Sequence, residues 1–303
     1  MRIKKIDTDK EAVILSALKG EKSKVDTVRI TNNGNHINSL NVYIEGSEAD
    51  YFKILSTTGK ELDVNDVLQI PIEFQPDIEF VGMANAQLVA EISEGPLLKI
   101  PLRGLSTKGL EGKNEASLSW VVQTLGYPIE LGWDSLANHV RADLQGEELP
   151  QSLFEKSGKN ELEMIPVARY SPNFPLPFGY YTIKDSLPVL HQVGVLADSK
   201  SYPEHQTLFP KLISGGTTFD PHSEPFGFYT TSPSHDAYSQ DLWNSKLFKK
   251  NAAHACRIYP VKNLKGEREP NQFLVCFEEA FNGDYQDYVF LVKNIQIFKE
   301  MAK

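Results

Sequence analysis

The fold class this sequence predicts is all-β: an immunoglobulin-like sandwich followed by a larger β-sandwich with one short helix. Three observations lead there. Short runs of alternating apolar and polar residues, broken by turn residues about every 8 to 12 positions, fill the first hundred residues. The same pattern returns from about Glu161, among many prolines and glycines, and a single stretch between them has a helical period.

The strand-like runs are Thr27 to Ile30, Leu40 to Gly46, Leu68 to Phe74, Ala86 to Ile92 and Leu98 to Leu102, with a turn at Asn32-Asn33-Gly34-Asn35. A polar stretch from Ser106 to Asn114 has the composition of a flexible connector. Ala116, Leu118, Val121, Val122 and Leu125 then recur at helical spacing, with Asn114 as a plausible cap and Gly126 as the stop. The expected domains are 1–106, an immunoglobulin-like sandwich; 107–114, a linker; and 115–303, an aromatic-rich sandwich that binds a ligand. Two domains also suit 303 residues, at about 150 residues each.

Charge narrows the function classes. With 31 basic and 40 acidic side chains the net charge is −9, which disfavours nucleic-acid binding, since that depends on Lys and Arg neutralising phosphates. Acidic groups instead suit hard cations. No run approaches the roughly 18 apolar residues needed to insert in a membrane. Met1-Arg2-Ile3-Lys4-Lys5 has the charge of a signal n-region, but Asp7, Asp9, Lys10 and Glu11 stand where an apolar segment would begin. Met1 either begins a cytoplasmic protein or was added where a longer chain was cut; the resemblances below favour the second.

The segment Ser16 to Glu21, Thr31-Asn32-Asn33-Gly34, Phe52-Lys53-Ile54, Phe74-Gln75-Pro76 and Ile100 to Gly104 resembles the Hydin-like, or choice-of-anchor, immunoglobulin-like modules over about the first third of the chain. Such modules serve as spacers or docking units in surface and ciliary proteins, so the resemblance implies a fold more than a function.

Near the C-terminus, Phe273 to Val292 reads as a hairpin about Asn282-Gly283-Asp284. Centred on Gly283, it would set Phe277 opposite Val289, Val275 opposite Leu291 and Glu279 opposite Asp287. Facing carboxylates repel. Glu279, Asp284 and Asp287, with Asn282 and Glu278 as lesser candidates, would find relief in a shared Ca²⁺, which takes six to eight hard oxygens, whereas zinc prefers His or Cys. The alternative is a solvated acidic turn with no metal.

This hairpin, with Leu118-Ser119-Trp120, Pro166 to Tyr170, Phe226 to Tyr229, Tyr238 to Asp241 and Arg257 to Pro260, resembles a C-terminal domain of unknown function in secreted bacterial proteins over most of residues 115 to 298. Its hallmark, an acidic strand end followed by Asp-Tyr-x-Asp and a Val-rich strand, is matched at Asp284 to Asp287 and Val289 to Ile295. That resemblance implies a secreted or cell-envelope setting beside adhesion and sugar-associated modules.

Residues 168 to 248 hold 14 aromatic side chains, against 16 Phe, 12 Tyr and 3 Trp in the whole chain. Most are expected in the core, while Tyr202, Tyr238 and Trp243, with Asp241, are candidate contacts for a glycan or surface polymer. Pro177-Phe178-Gly179-Tyr180-Tyr181-Thr182 is echoed by Pro225-Phe226-Gly227-Phe228-Tyr229-Thr230, which reads as two strands entering one core from equivalent places, or alternatively as exposed aromatic platforms. His191, His205, His222, His235 and His254 match no ligand spacing and read as separate loop and surface residues. A hairpin centred near Gly266 would set Cys256 opposite Cys276 as neighbouring reduced thiols.

No nucleophile elbow, zinc-protease motif or phosphate loop is present. The best catalytic pairing, Glu278 or Glu279 with Asp287 or Asp241 as in a glycosidase, would put Glu278 and Glu279 on opposite strand faces. The expectation is therefore a non-catalytic, calcium-associated binding module of a surface or secreted protein, with neighbouring protein modules as possible partners. The alternative is a structural docking unit without metal.

Overall fold

The computed structural model describes residues 5–56, 61–92, 97–109, 115–132, 143–198, 205–233, 236–244, 254–278 and 283–299. The chain forms two compact units, Met1–Gly109 and Leu110–Lys303. Most of the connector expected at 107–114 lies outside the described residues, as does Asn114. Among the described residues no helix is long and apolar enough to cross a membrane.

The first unit contains β1 (Ile6–Thr8), β2 (Val13–Leu18), β3 (Asp26–Asn32), β4 (Leu40–Glu45), β5 (Phe52–Ile54), β6 (Val67–Phe74), β7 (Gly82–Ile92) and β8 (Leu97–Thr107). They form two four-stranded sheets, β1-β3-β6-β5 and β2-β8-β7-β4. All pairings are antiparallel except β2 with β8, where Val13 to Leu18 run parallel to Leu102 to Thr107. Alternation puts Val28, Ile30, Ile70, Ile72, Leu88 and Leu102 into one core, giving an immunoglobulin-like sandwich.

Two of the motifs that carried the first resemblance meet in that core. A Cβ on Gly104 would lie 2.4 Å from the Phe74 ring, so the glycine makes room for the aromatic. Asn32, fully buried, donates through Nδ2 to the carbonyls of Asn35, Leu62 and Asp63 and accepts at Oδ1 from Gly34 N, which ties the turn to the strand end.

The second unit opens with α1 (Leu118–Leu125). Its cap is Ser117, whose hydroxyl accepts from Trp120 N, and Gly126 at φ 85° ends it with the expected left-handed stop. Then come β9 (Phe154–Lys156), β10 (Leu162–Tyr170), β11 (Leu176–Lys184), β12 (Leu187–Leu196), β13 (Gln206–Leu208), β14 (Leu212–Gly215), β15 (Thr218–Phe219), β16 (Phe226–Thr231) and β17 (Asp236–Tyr238). After α2 (Asp241–Asn244) follow β18 (Cys256–Lys262), β19 (Arg268–Phe277), β20 (Tyr288–Lys293) and β21 (Ile295–Ile297). The single expected helix thus has a companion of one turn, too short to show a hydrophobic period.

One sheet runs β13-β10-β20-β19-β18 and the other β14-β12-β11-β16-β9-β21, with β15 on β10 and β17 on β16. Phe154, Met164, Phe178, Phe226, Phe228, Val275, Phe277, Phe290 and Val292 fill the space between them. The first sheet is also buried on its other face, at Arg257, Tyr259, Leu274, Cys276, Val289 and Leu291. The segment leading from α1 is bonded to the end strand β18, through Leu149 N to Ile258 O at 2.8 Å.

The aromatic echo is a pair of adjacent antiparallel strands, β11 and β16, in which Gly179 faces Tyr229 and Tyr181 faces Gly227. A Cβ on Gly227 would meet the Tyr181 ring at 2.3 Å. Phe178, Tyr181, Phe226, Phe228 and Tyr229 are buried, so the echo builds core and not an exposed platform.

Two expected registers are corrected by one residue each. Phe277 pairs with Tyr288 and Val275 with Phe290. The strands are buried on both faces, so the side-chain pattern carries no information about which face is which. Cys256 pairs with Phe277 and Arg257 with Cys276, because the register shifts between Pro260 and Lys262. The two free cysteines therefore point to opposite faces of the sheet, both buried.

Candidate metal centre

Glu278 follows the last residue of β19 and Asp287 precedes the first of β20, so the Phe277–Tyr288 pair brings both acids to one end of the sheet. Asp284 arrives through a turn with Gly283 at φ 78° and Tyr285 at φ 57°. The left-handed conformation is easy for glycine and costs a tyrosine about 1–2 kcal/mol, so Tyr285 must be held by its surroundings. Its hydroxyl donates to His254 O at 2.8 Å, and the Arg257 guanidinium lies over its ring at 4.6 Å. The backbone amides of Asp284 and Tyr285 donate to Glu278 Oε2 at 2.9 and 3.3 Å, orienting that carboxylate.

Carboxylate oxygens of Glu278, Asp284 and Asp287 come within 4.8 Å of one another, a spacing that could hold a metal ion. All three residues are buried, with exposures of 0, 1 and 6 %. The alternative of a solvated acidic turn does not hold for these three residues, which lie out of solvent. Burial first and the charge of Glu278 second push the Asp284 carboxyl up to about 8, against a hydrogen bond from Gln286 that favours ionisation. Glu279 and Asn282 lie outside the described residues.

A second buried network adjoins the strand start. His254, 1 % exposed, has Nδ1 at 3.0 Å from Asp241 Oδ2 and Nε2 at 2.8 Å from Glu148 Oε1. Burial disfavours the imidazolium, but hydrogen bonds to Asp241 and Glu148, with their charges, outweigh it and raise the pKa. Arg257 pairs with the other Glu148 oxygen and donates to Asp143 O at 3.1 Å. Gln151 accepts from Asp241 N at 2.7 Å.

His254 therefore corrects the reading of all five histidines as loop and surface residues. Its position two residues ahead of the buried strand β18 was the available signal. Glu148, Arg257, Gln286 and Glu115 were also missed; Arg257, a charge set between the apolar Cys256 and the run Ile258 to Val261, was legible as a buried charge in need of a partner.

Both ring nitrogens of His254 face carboxylates, and burial pushes both thiols well above the usual cysteine range. The triad's own donors are all oxygens. Asp241, expected at a ligand surface, is bound to His254. Tyr238 is 9 % exposed and packs edge-on against Tyr181 at 5.5 Å, while half-buried Trp243 donates to Gln240 Oε1 at 3.2 Å. Tyr202 lies outside the described residues.

Fold and site together define an all-β protein of two units, an immunoglobulin-like sandwich and a larger sandwich with a buried acidic triad able to hold a metal ion. No family model matches the chain, and no curated protein does. Among matching solved structures, the secreted serine protease VesC from Vibrio cholerae aligns at 12 % identity and a TM-score of 0.25, over 95 % of this chain and 51 % of that one. The tandem Ig repeats of Dlar align at 10 % identity and 0.21, over 78 % and 94 %. The chain spans about half the length of VesC, and at these scores neither likeness bears on activity.

Proposed function

We propose that this chain is a non-catalytic binding module of a secreted or cell-surface protein, its C-terminal sandwich stabilised by calcium at Glu278, Asp284 and Asp287. The convergence of three buried carboxylates within 4.8 Å carries the reading. Three carboxylates gathered out of water favour a bound cation, and an all-oxygen donor set fits a hard cation better than zinc. Because the site is closed from solvent, the ion is structural and does not bridge to a ligand.

The resemblances to Hydin-like modules and to a C-terminal domain of secreted bacterial proteins support the surface setting. They also motivate a glycan or surface polymer as the ligand. The cluster of Tyr238 and Trp243 near Asp241 is its candidate contact, half-buried Trp243 being the more accessible of the two aromatics.

Thermal unfolding with calcium and with chelator tests the ion. Free calcium at a thousandfold its Kd raises stability by about 4 kcal/mol; an unchanged midpoint rejects the site. A specific observation favours a metal-free docking module as the second reading: an Asp284 carboxyl raised to about 8 can keep its proton and share it with Glu278. A glycan array, repeated with Trp243→Ala, tests the ligand, and array binding that survives the substitution rejects that surface.

A further inference from the structure

We propose that the outer face of one sheet of the first unit carries a binding site, a cavity in which Arg103 receives the carboxylate of an acidic sugar of the uronic acid class. The site is separate from the acidic triad and from Trp243, and it stands or falls without either.

Strands β4, β7 and β8 are neighbours, with Glu45 opposite Gln87, Asn85 opposite Arg103 and Gln87 opposite Pro101. Ala86, Leu88, Ile100 and Leu102 face the core, so alternation turns Glu45, Asn85, Gln87 and Arg103 to the other face. After β4 the chain turns at Gly46, φ 127°, where an added Cβ would lie 3.2 Å from Ala86 Cα. This close pass brings Ser47 and Glu48 alongside the sheet, and Glu48 Oε2 accepts from Asn85 N at 3.1 Å. Together these polar residues line a cavity of about 750 Å³, room for a small oligosaccharide.

Arg103 is half-buried, and among the described residues its guanidinium makes no hydrogen bond or ion pair. Burial lowers its pKa from the ordinary arginine value, and neither acid of the cavity offsets that. Glu45 is already paired with Lys99 at 2.6 Å, and Glu48 holds the Asn85 amide. A guanidinium partly out of water still has five donors to satisfy, in a fork that fits a carboxylate. The side chains of Asn85, Gln87 and Ser47 are likewise without a partner among the described residues, and they both donate and accept, as sugar hydroxyls do. A uronic acid presents one carboxylate among hydroxyls, which matches an unpaired cation set among amides. An acidic peptide would bring several charges towards Glu45 and Glu48 and match less well. None of the described lining residues is aromatic, so charge and not ring stacking selects the sugar.

Calorimetry on the full chain with trigalacturonate, its neutral methyl ester and tetraglutamate tests the site. The wild type should bind trigalacturonate and lose about tenfold or more in affinity for the ester, because a hydrogen bond between charged groups is worth that factor. Arg103→Gln should lose a similar factor for the acid and none for the ester, with an unchanged unfolding midpoint. If Arg103→Gln does not fold, Gln87→Ala at an exposed strand position decides, by a loss of about threefold or more towards trigalacturonate. No binding of trigalacturonate by the wild type, or equal affinity for acid and ester, overturns the proposal. Tighter binding of tetraglutamate also overturns it and gives the cavity to an acidic peptide.

Discussion

His254 is held by two acids, and the sign of its pH dependence follows. Its pKa is higher folded than unfolded, so the stability it contributes is fully present below the unfolded value of about 6.5 and is lost as pH rises through the folded value. Urea unfolding of the wild type should therefore weaken above that window, and His254→Gln should flatten this part of the profile. At pH 6 the substitution should cost about 2 kcal/mol, since Asp241 and one oxygen of Glu148 lose the imidazolium they share while Arg257 stays on the other Glu148 oxygen. Equal pH profiles for the two proteins would remove His254 from the account.

The acids of the last hairpin were legible as a cluster because four of them crowd one stretch of sequence. Their burial was not. That depends on Tyr285, Arg257 and the carbonyl of His254 drawing the turn inward, contacts that no local spacing encodes.

Among the elements, strands buried on one face announced themselves and strands buried on both did not disclose their register. β2 and β3 alternate cleanly, so their inward residues can be read directly. β19 and β20 pair through Leu274, Val275, Cys276 and Phe277, every one of them buried, and a slip of one residue leaves that pattern unchanged. The helix α1 was readable because its stop glycine and its apolar stripe agree, whereas the one-turn α2 offers neither. Glycines facing aromatics give a test at this scale. Gly104→Ala places a methyl into the buried Phe74 ring and should destabilise the first unit by about 1–3 kcal/mol. Gly227→Ala should act in the same way on the second unit through Tyr181. Urea midpoints unchanged in both variants would mean that the rings move aside freely.

At the level of the whole molecule, each unit has its own core. Calorimetry should resolve two unfolding transitions, of which calcium shifts one and Gly104→Ala the other. A single transition moved by both would show that the units do not unfold independently.

Strand β20, formed late in the sequence at Tyr288–Lys293, lies between β10 and β19 in its sheet. A ribosome must therefore release the chain through Lys293 before those two earlier strands gain the neighbour they share. This sheet of the second unit is complete only once β20 has been made, and a stop codon just ahead of Tyr288 deletes the middle of a sheet, not a tail.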